Sequence, residues 1–184
     1  MSRAKRVLAA LTALAALPAP TLAALPSPAP AATGPVSRLT GAALRHALLS
    51  SRELWATVDV CNPPDQRNWV GIRGSMPGDG HPRDKMYMSF RLQYMDPVAK
   101  QWIDASSTKS PFVAVGTGTS TRQDGASFKL VRGAAPFTLR GVVDFEWRRG
   151  TSVLFSAVRT TTAAHHSLSG ADPAGYSAAT CSIG

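Results

Sequence analysis

Asp144 and Glu146 are the two residues whose types and spacing come nearest to hydrolytic chemistry. They stand two positions apart in an alternating segment, so they share one face of a strand with about 7 Å between their backbones. Carboxyl groups at roughly 5–10 Å can act as the acid and the nucleophile or base of glycoside hydrolysis. Arg140 and Arg148 have the same parity, however, and the four side chains form an alternating charged ladder. We interpret this ladder as a solvated surface and predict no catalytic residues in it.

Two clusters contain the residue types that bind metal ions. Asp79, His81 and Asp84 lie in a loop rich in glycine and proline and offer oxygens for calcium, but the regular spacing and terminal glutamate of a calcium loop are missing. His165 and His166 are adjacent in an extended segment, so their imidazoles point apart instead of converging on one ion. We therefore expect turn-forming roles for the first cluster and solvated histidines for the second, and we predict no metal and no cofactor.

Other catalytic signatures are missing from the sequence. No G-x-S-x-G pentapeptide offers a serine nucleophile. The stretch 116–119 is rich in glycine but lacks the Lys-Ser/Thr pair of a phosphate-binding loop. The sequence thus predicts a protein that is not an enzyme, and a small secreted glycoside hydrolase using Asp144 and Glu146 is the less favoured alternative.

Cys61 and Cys181 are the only cysteines of the chain. In an exported protein, where disulfides persist, we expect them to pair with each other. Two free thiols or a metal-binding pair is the alternative, but no other ligand lies at a suitable spacing. The bridge would close a loop of almost the whole domain, and the chain-entropy model sets an upper guide of about 5 kcal/mol for its contribution to stability.

Aromatic residues are the best candidates for a binding role. Trp55 and Trp69 have the opposite parity from the aliphatic residues around them, which places both indoles on outer faces of the predicted strands. Outward aromatic rings stack on sugars or anchor protein partners. A loop or the N-terminal helix covering these strands would bury the indoles instead, and we favour that packing role. Tyr87 and Arg91, on the polar side of a third strand, complete the candidate ligand-binding residues.

Short segments with a two-residue apolar period dominate the chain after residue 52. They predict eight or nine strands, separated by turn signals and without helical crossovers, at 54–61, 69–76, 86–96, 100–104, 112–116, 126–131, 137–147, 153–162 and 176–183. This pattern predicts an all-β fold, an immunoglobulin-like antiparallel β-sandwich, with Trp147 in its core. Cys61 ends the first predicted strand, and Cys181 lies in the last one. These two strands lie close together in an immunoglobulin-like order, so a disulfide between them agrees with the predicted fold.

The N-terminal region reads as an export signal. A basic head, an apolar stretch too short to span a bilayer and an A-x-A-like exit predict a signal peptide and a Pro/Ala-rich leader over residues 1–32. Residues 33–52 are expected to be a linker with a short helix at 41–52, and residues 53–184 the sandwich. Three of the twenty basic residues lie in the basic head and all eleven acidic residues follow it, so the exported chain has a net charge of +6. We predict an extracellular protein without a membrane span.

The run from Met76 to the C-terminus resembles uncharacterised exported proteins of actinobacteria. The stretches that carry the resemblance are MPGDGHPRDKMYMSFRLQY, LRGVVDFEWRRG, VRTTTAAHH and GADPAGYSAATCSI. The resemblance implies secretion and an immunoglobulin- or fibronectin-like fold, and it implies no activity. The cysteines near the chain ends depart from antibody domains, whose disulfide crosses the middle of the core.

Taken together, the sequence predicts a secreted, non-catalytic β-sandwich protein that serves as an extracellular binding module or an envelope-associated structural module. A cell-envelope polymer or an extracellular protein is the expected partner. Nucleic acid is not expected, because the positive charge is spread along the chain. The alternative is a carbohydrate-binding module that uses Trp55 and Trp69.

Overall fold

The computed structural model describes residues 41–131, 136–165 and 169–184. The predicted signal peptide and leader, residues 1–32, and His166 lie outside the described residues. Within the described part of the chain, no helix is long and apolar enough to cross a bilayer.

One helix and nine strands form in the described residues: α1 (Gly41–Leu49), β1 (Trp55–Cys61), β2 (Trp69–Met76), β3 (Lys85–Met95), β4 (Trp102–Asp104), β5 (Val113–Thr117), β6 (Arg122–Lys129), β7 (Phe137–Arg149), β8 (Ser152–Thr160) and β9 (Cys181–Ile183). Every predicted strand is present, so the all-β prediction is confirmed. The helix ends at Leu49, three residues before the predicted end, and the predicted strand boundaries differ most at two elements. β6 begins four residues earlier than expected, because its polar first half pairs with β2 and gives no apolar signal. The last strand is shorter, because Ala178 pairs with Val58 instead of continuing into β9.

The strands form two antiparallel sheets. Sheet A has the order β1-β2-β6. In sheet B, β3 and β7 lie side by side at the centre; β4 and β5 share the outer edge of β3, while β8 and β9 share the outer edge of β7. The long β3–β7 pairing sets the register of sheet B, with Met88 opposite Phe145 and Tyr87 opposite Glu146.

The two sheets face each other across one hydrophobic core. A Cβ added to Gly74 of β2 would lie 3.1–3.2 Å from side-chain atoms of Val143, Met88 and Phe145 in sheet B, so the missing side chain lets the sheets approach closely here. Trp147 is fully buried in this core, as its parity predicted. Helix α1 joins the same core through Leu44 and Leu48, in line with its apolar period.

A disulfide and the C-terminal segment fasten the edge of β1. Cys61 and Cys181 are bonded, which confirms the predicted pairing and fits an extracellular protein. Ala178 pairs with Val58, and one residue earlier the hydroxyl of Ser177 lies 2.7 Å from Oγ1 of Thr57; Thr57 and Ser177 are both buried. The segment thus covers part of the outer face of sheet A.

Candidate functional site

The outer face of sheet B carries polar, charged and aromatic side chains in register. Strand alternation turns every second residue of β3 and β7 away from the core. Ser89 stands opposite Asp144, and Gln93 stands opposite both Arg140 and Asp104. We use the name outer face of sheet B for the side chains of Tyr87, Arg91, Gln93, Trp102, Asp104, Phe112, Arg140, Asp144, Glu146, Arg148, Ser156 and Val158.

Arginine–aromatic stacking holds three rings on this face. The guanidinium of Arg140 lies over the Trp102 ring at 4.4 Å from its centroid. The guanidinium of Arg148 lies 4.3 Å from the ring centroid of Tyr87 and 4.9 Å from that of Phe112. Such cation–π contacts contribute about 0.5–1 kcal/mol at exposed sites. The rings are therefore positioned before any ligand arrives.

Both carboxylates of the predicted ladder are engaged by arginine. Nη1 of Arg91 donates to Oδ2 of Asp144, and its Nε forms an ion pair with Asp104 at 3.4 Å. Arg148 pairs with Glu146 of the same strand. The charged residues therefore lie on one outer face, as predicted, but their pairing runs across strands as well as along β7. Arg91 and Arg148 each engage one oxygen of their carboxylate, Oδ2 of Asp144 and Oε2 of Glu146, and the remaining acceptor positions stay open.

An open depression of about 310 Å³ lies over the centre of β7 and β8 on this face. Its rim combines one aromatic ring, two carboxylates, a hydroxyl and an ammonium group, from Phe112, Asp144, Glu146, Ser156 and Lys109. The candidate residue Arg91 contacts this rim through its ion pair with Asp144. The candidate residue Tyr87 stacks on Arg148, which in turn pairs with Glu146 of the rim. The sequence interpretation did not name Phe112 and Trp102 as candidates. Each stands in or beside a short strand, and the sheet face on which its ring lies depends on how that strand pairs with β3.

Trp55 and Trp69 are not part of one platform. Trp55 pairs with Ser75 and Trp69 begins β2, so the two indoles stand near opposite ends of sheet A, about 20 Å apart along the strand. The Trp55 ring stacks on His165 with centroids 4.1 Å apart and planes 15° from parallel. Both indoles are half-buried. Trp55 thus packs beneath the C-terminal region, which is the kind of cover that the sequence interpretation favoured.

A second cluster lies at the end of the sandwich, in the loop between β2 and β3. Asp79, His81 and Asp84 each bring one potential ligand atom within 4.8 Å of the others. The Asp79 and Asp84 side chains are almost fully buried, whereas His81 is about one-third exposed. Arg149, at the end of β7, donates from Nε and Nη2 to the two oxygens of Asp84, at 2.6 and 2.8 Å. Sequence reasoning could not place Arg149 here, because 65 positions separate it from Asp84.

The two aspartates of this cluster differ in their electrostatics. Burial raises the pKa of Asp79 above its usual 3.8; the neighbouring Asp84 raises it further, while the backbone N–H of His81 opposes the shift. The hydrogen bonds from Arg149 lower the pKa of Asp84. Titratable groups with opposed environments are typical of functional sites, although structural ion pairs produce them too.

Comparisons with known proteins leave the family open. No protein-family model and no curated protein sequence matches this chain. Among solved structures, the chain is similar to Pseudomonas fluorescens alkylpurine DNA glycosylase AlkC bound to DNA containing an abasic site analog, with 15% sequence identity and a TM-score of 0.32. The match covers 59% of this chain and 29% of that chain.

Proposed function

We propose that the protein is an exported, non-catalytic β-sandwich that binds a carbohydrate polymer of the cell envelope through the outer face of sheet B. The observation that carries this proposal is the depression beside Phe112. Its volume of about 310 Å³ is at the lower end of the range for small-molecule sites.

The lining of the depression matches the chemistry of a sugar ring. A sugar presents an apolar ring face, which stacks on an aromatic side chain such as Phe112. Its hydroxyls need acceptors and donors, which Asp144, Glu146 and Ser156 supply. Lys109 adds a positive charge at the rim, suited to the anionic groups that envelope polymers carry. The arginine contacts hold the charged groups in place, so little side-chain entropy is lost on binding.

The strand order supports an immunoglobulin-like sandwich as the scaffold. In that fold one sheet has the order A-B-E-D and the other the order C-F-G. The order β1-β2-β6 corresponds to A-B-E and the order β3-β7-β8 to C-F-G, while β4 and β5 pair with β3 and none of the described strands takes the place of D in sheet A. Export is supported by the disulfide and by the signal-like N-terminal sequence.

The test is co-sedimentation of the purified protein with isolated cell envelopes and with insoluble polysaccharides, at low and moderate salt. We expect retention that persists in moderate salt. Phe112→Ala is expected to weaken it at least about tenfold, the usual effect of truncating an aromatic anchor. Trp69→Ala is the matched control, since it removes a half-buried ring from the other sheet. Retention that disappears with salt, or that depends on Trp69 and Trp55 instead of Phe112, would contradict this surface assignment.

Two rivals give different results in the same experiment. A hydrolase would release soluble sugar from the polymer, and Asp144→Asn would abolish that release; for a binding protein we expect no release.

An extracellular protein partner is the second candidate, favoured by the arginine–aromatic stacks, because Trp, Tyr and Arg dominate binding hot spots. If the partner is a protein, protease treatment of the envelopes should abolish retention of the purified chain. If the partner is a polysaccharide, retention should survive the treatment.

A further inference from the structure

The loop between β2 and β3 holds three potential metal ligands around one point. Oxygens of Asp79 and Asp84 and a ring nitrogen of His81 all lie within 4.8 Å of one another. The loop is fastened to the turn between β5 and β6, since Gly80 N–H donates to the carbonyl of Gly118, and Gly118 N–H to that of Asp84, both at 2.8 Å. The donors therefore sit on a defined backbone.

One carboxylate oxygen in this cluster has no hydrogen-bond donor. Asp79 is 0% exposed, and its Oδ1 accepts from the backbone N–H of His81 at 2.9 Å. Its Oδ2 is buried without a partner. The neighbouring carboxylate of Asp84 is also an acceptor, and the His81 ring lies on the side of Oδ1, with its Nδ1 3.8 Å from that oxygen. Leaving such an oxygen buried and unsatisfied is costly, so we expect a proton, a water molecule or a cation beside it.

The charges and lone pairs around the cluster leave room for a cation. Arg149 compensates one of the two carboxylates, so one negative charge remains among these three side chains. The two hydrogen bonds from Arg149 use two of the roughly four acceptor positions of Asp84, and the other acceptor positions stay open. A side chain at residue 118 would collide with Oδ1 of Asp79, so the glycine there makes space for the carboxylate.

Solvent reaches the cluster from one side. An open depression of about 280 Å³ is lined by His81, Asp84 and Arg149 together with apolar residues of α1 and β8. An ion can therefore approach the cluster from the side of His81 and Asp84.

We propose that Asp79, His81 and Asp84 bind one divalent metal ion of the zinc type. Two carboxylate oxygens and one imidazole nitrogen form a mixed oxygen and nitrogen donor set, which zinc accepts, whereas calcium prefers oxygen donors only. The ion would clamp the β2–β3 loop at the end of the sandwich. This site is separate from the proposed sugar-binding surface and does not depend on it.

The experiment is a calorimetric titration of the purified, chelator-treated protein with Zn²⁺, followed by thermal unfolding in the same buffer. We expect one ion per chain and a rise in Tm of about 5–10 °C at a free Zn²⁺ concentration about 100 times Kd. Ca²⁺ is expected to bind more weakly. Asp79→Asn preserves the shape of the side chain but removes its charge, and we expect it to abolish the stoichiometric binding.

His81→Ala provides a second variant, because the His81 side chain is about one-third exposed and can be removed without opening the core. We expect a loss of at least tenfold in Zn²⁺ affinity with folding retained. His46→Ala and Asp124→Asn are matched controls outside the cluster, and they should bind like the parent protein. Absence of binding, or binding that survives Asp79→Asn and His81→Ala, would overturn the proposal and leave a shared proton or a water molecule to satisfy Oδ2 of Asp79.

Discussion

The indole nitrogen of Trp147 donates a hydrogen bond to the carbonyl oxygen of Pro77 at 2.9 Å. Trp147 belongs to the core of sheet B, and Pro77 is the first residue after β2, where the chain enters the loop with Asp79, His81 and Asp84. This contact joins the hydrophobic core to the candidate metal loop. The core thus positions that loop as well as stabilising the fold.

Replacing Trp147 by Phe should test this connection. The smaller ring leaves a cavity and an unpaired buried carbonyl at Pro77, so we expect a loss of about 2–4 kcal/mol in the free energy of unfolding. Urea unfolding measures it. Trp102→Phe, at a half-buried position on the outer face of sheet B, should cost less than about 1 kcal/mol. Equal losses for the two variants would contradict the core role.

The Cys61–Cys181 disulfide should dominate resistance to unfolding. Its partners are 120 positions apart, so reduction frees a large loop in the unfolded chain. The chain-entropy model gives a loss of up to about 5 kcal/mol. Thermal unfolding with and without a reducing agent measures it, and the Cys61→Ser/Cys181→Ser double variant should match the reduced protein. Alkylation of two thiols in the native protein, detected by mass spectrometry, would contradict the bond.

Gly118→Ala should destabilise the turn between β5 and β6. The new methyl group would collide with the carboxylate of Asp79 and lie 2.8 Å from the carbonyl oxygen of His81. Overpacking of this kind costs about 1–3 kcal/mol. Chemical unfolding measures the loss, and Thr119→Ala, one position away and exposed, is the control. A fully stable Gly118→Ala variant would mean that the loop can move aside.

Thr57→Val should loosen the C-terminal segment over sheet A. Valine keeps the shape of the side chain but leaves the buried hydroxyl of Ser177 without its partner at Oγ1 of Thr57. We expect a loss of about 1–2 kcal/mol and faster amide hydrogen exchange at Ala178, whose N–H bonds to Val58. Thr119→Val, at an exposed site, should change neither quantity. Unchanged exchange at Ala178 would show that the segment is held independently of this hydrogen bond.

Tyr176 should make stability fall in alkaline solution. Burial raises its pKa above the ordinary 10.0, so the unfolded chain loses this phenolic proton at a lower pH than the folded chain does. Its contribution to stability is fully present below pH 10 and is lost as the pH rises through the raised pKa. We expect Tyr176→Phe to be less sensitive to alkali than the parent protein, as measured by urea unfolding from pH 9 to 11. The same pH dependence in both proteins would contradict the prediction.

The strands, the helix and the disulfide were readable from the sequence. A strand turns alternate residues to opposite faces, so the local pattern around Trp147 placed it in the core without knowledge of any partner. The same rule turned Tyr87, Arg91, Asp144 and Glu146 outward. With only two cysteines in the chain, one pairing was available.

The partners of those side chains were decided by the tertiary structure. Alternation fixes a face, but register and sheet order determine which residues meet. Arg91 reaches Asp144 because β3 and β7 are neighbours, and Phe112 reaches the same surface because β5 pairs with β3. Trp55 and Trp69 look equivalent in sequence, yet the antiparallel pairing of β1 and β2 separates them.

The Asp79–Asp84–Arg149 cluster shows most clearly that the local sequence does not specify which side chains become partners. The sequence placed the two aspartates in one loop and favoured turn-forming roles over a calcium site. Their burial depends on packing against the β5–β6 turn, and the arginine arrives from the far end of β7. The local sequence thus determined which residues of this protein are strand, core and surface. Contacts between distant segments decided which polar groups share a site, because the energy of a polar contact depends on neighbours that no local pattern specifies.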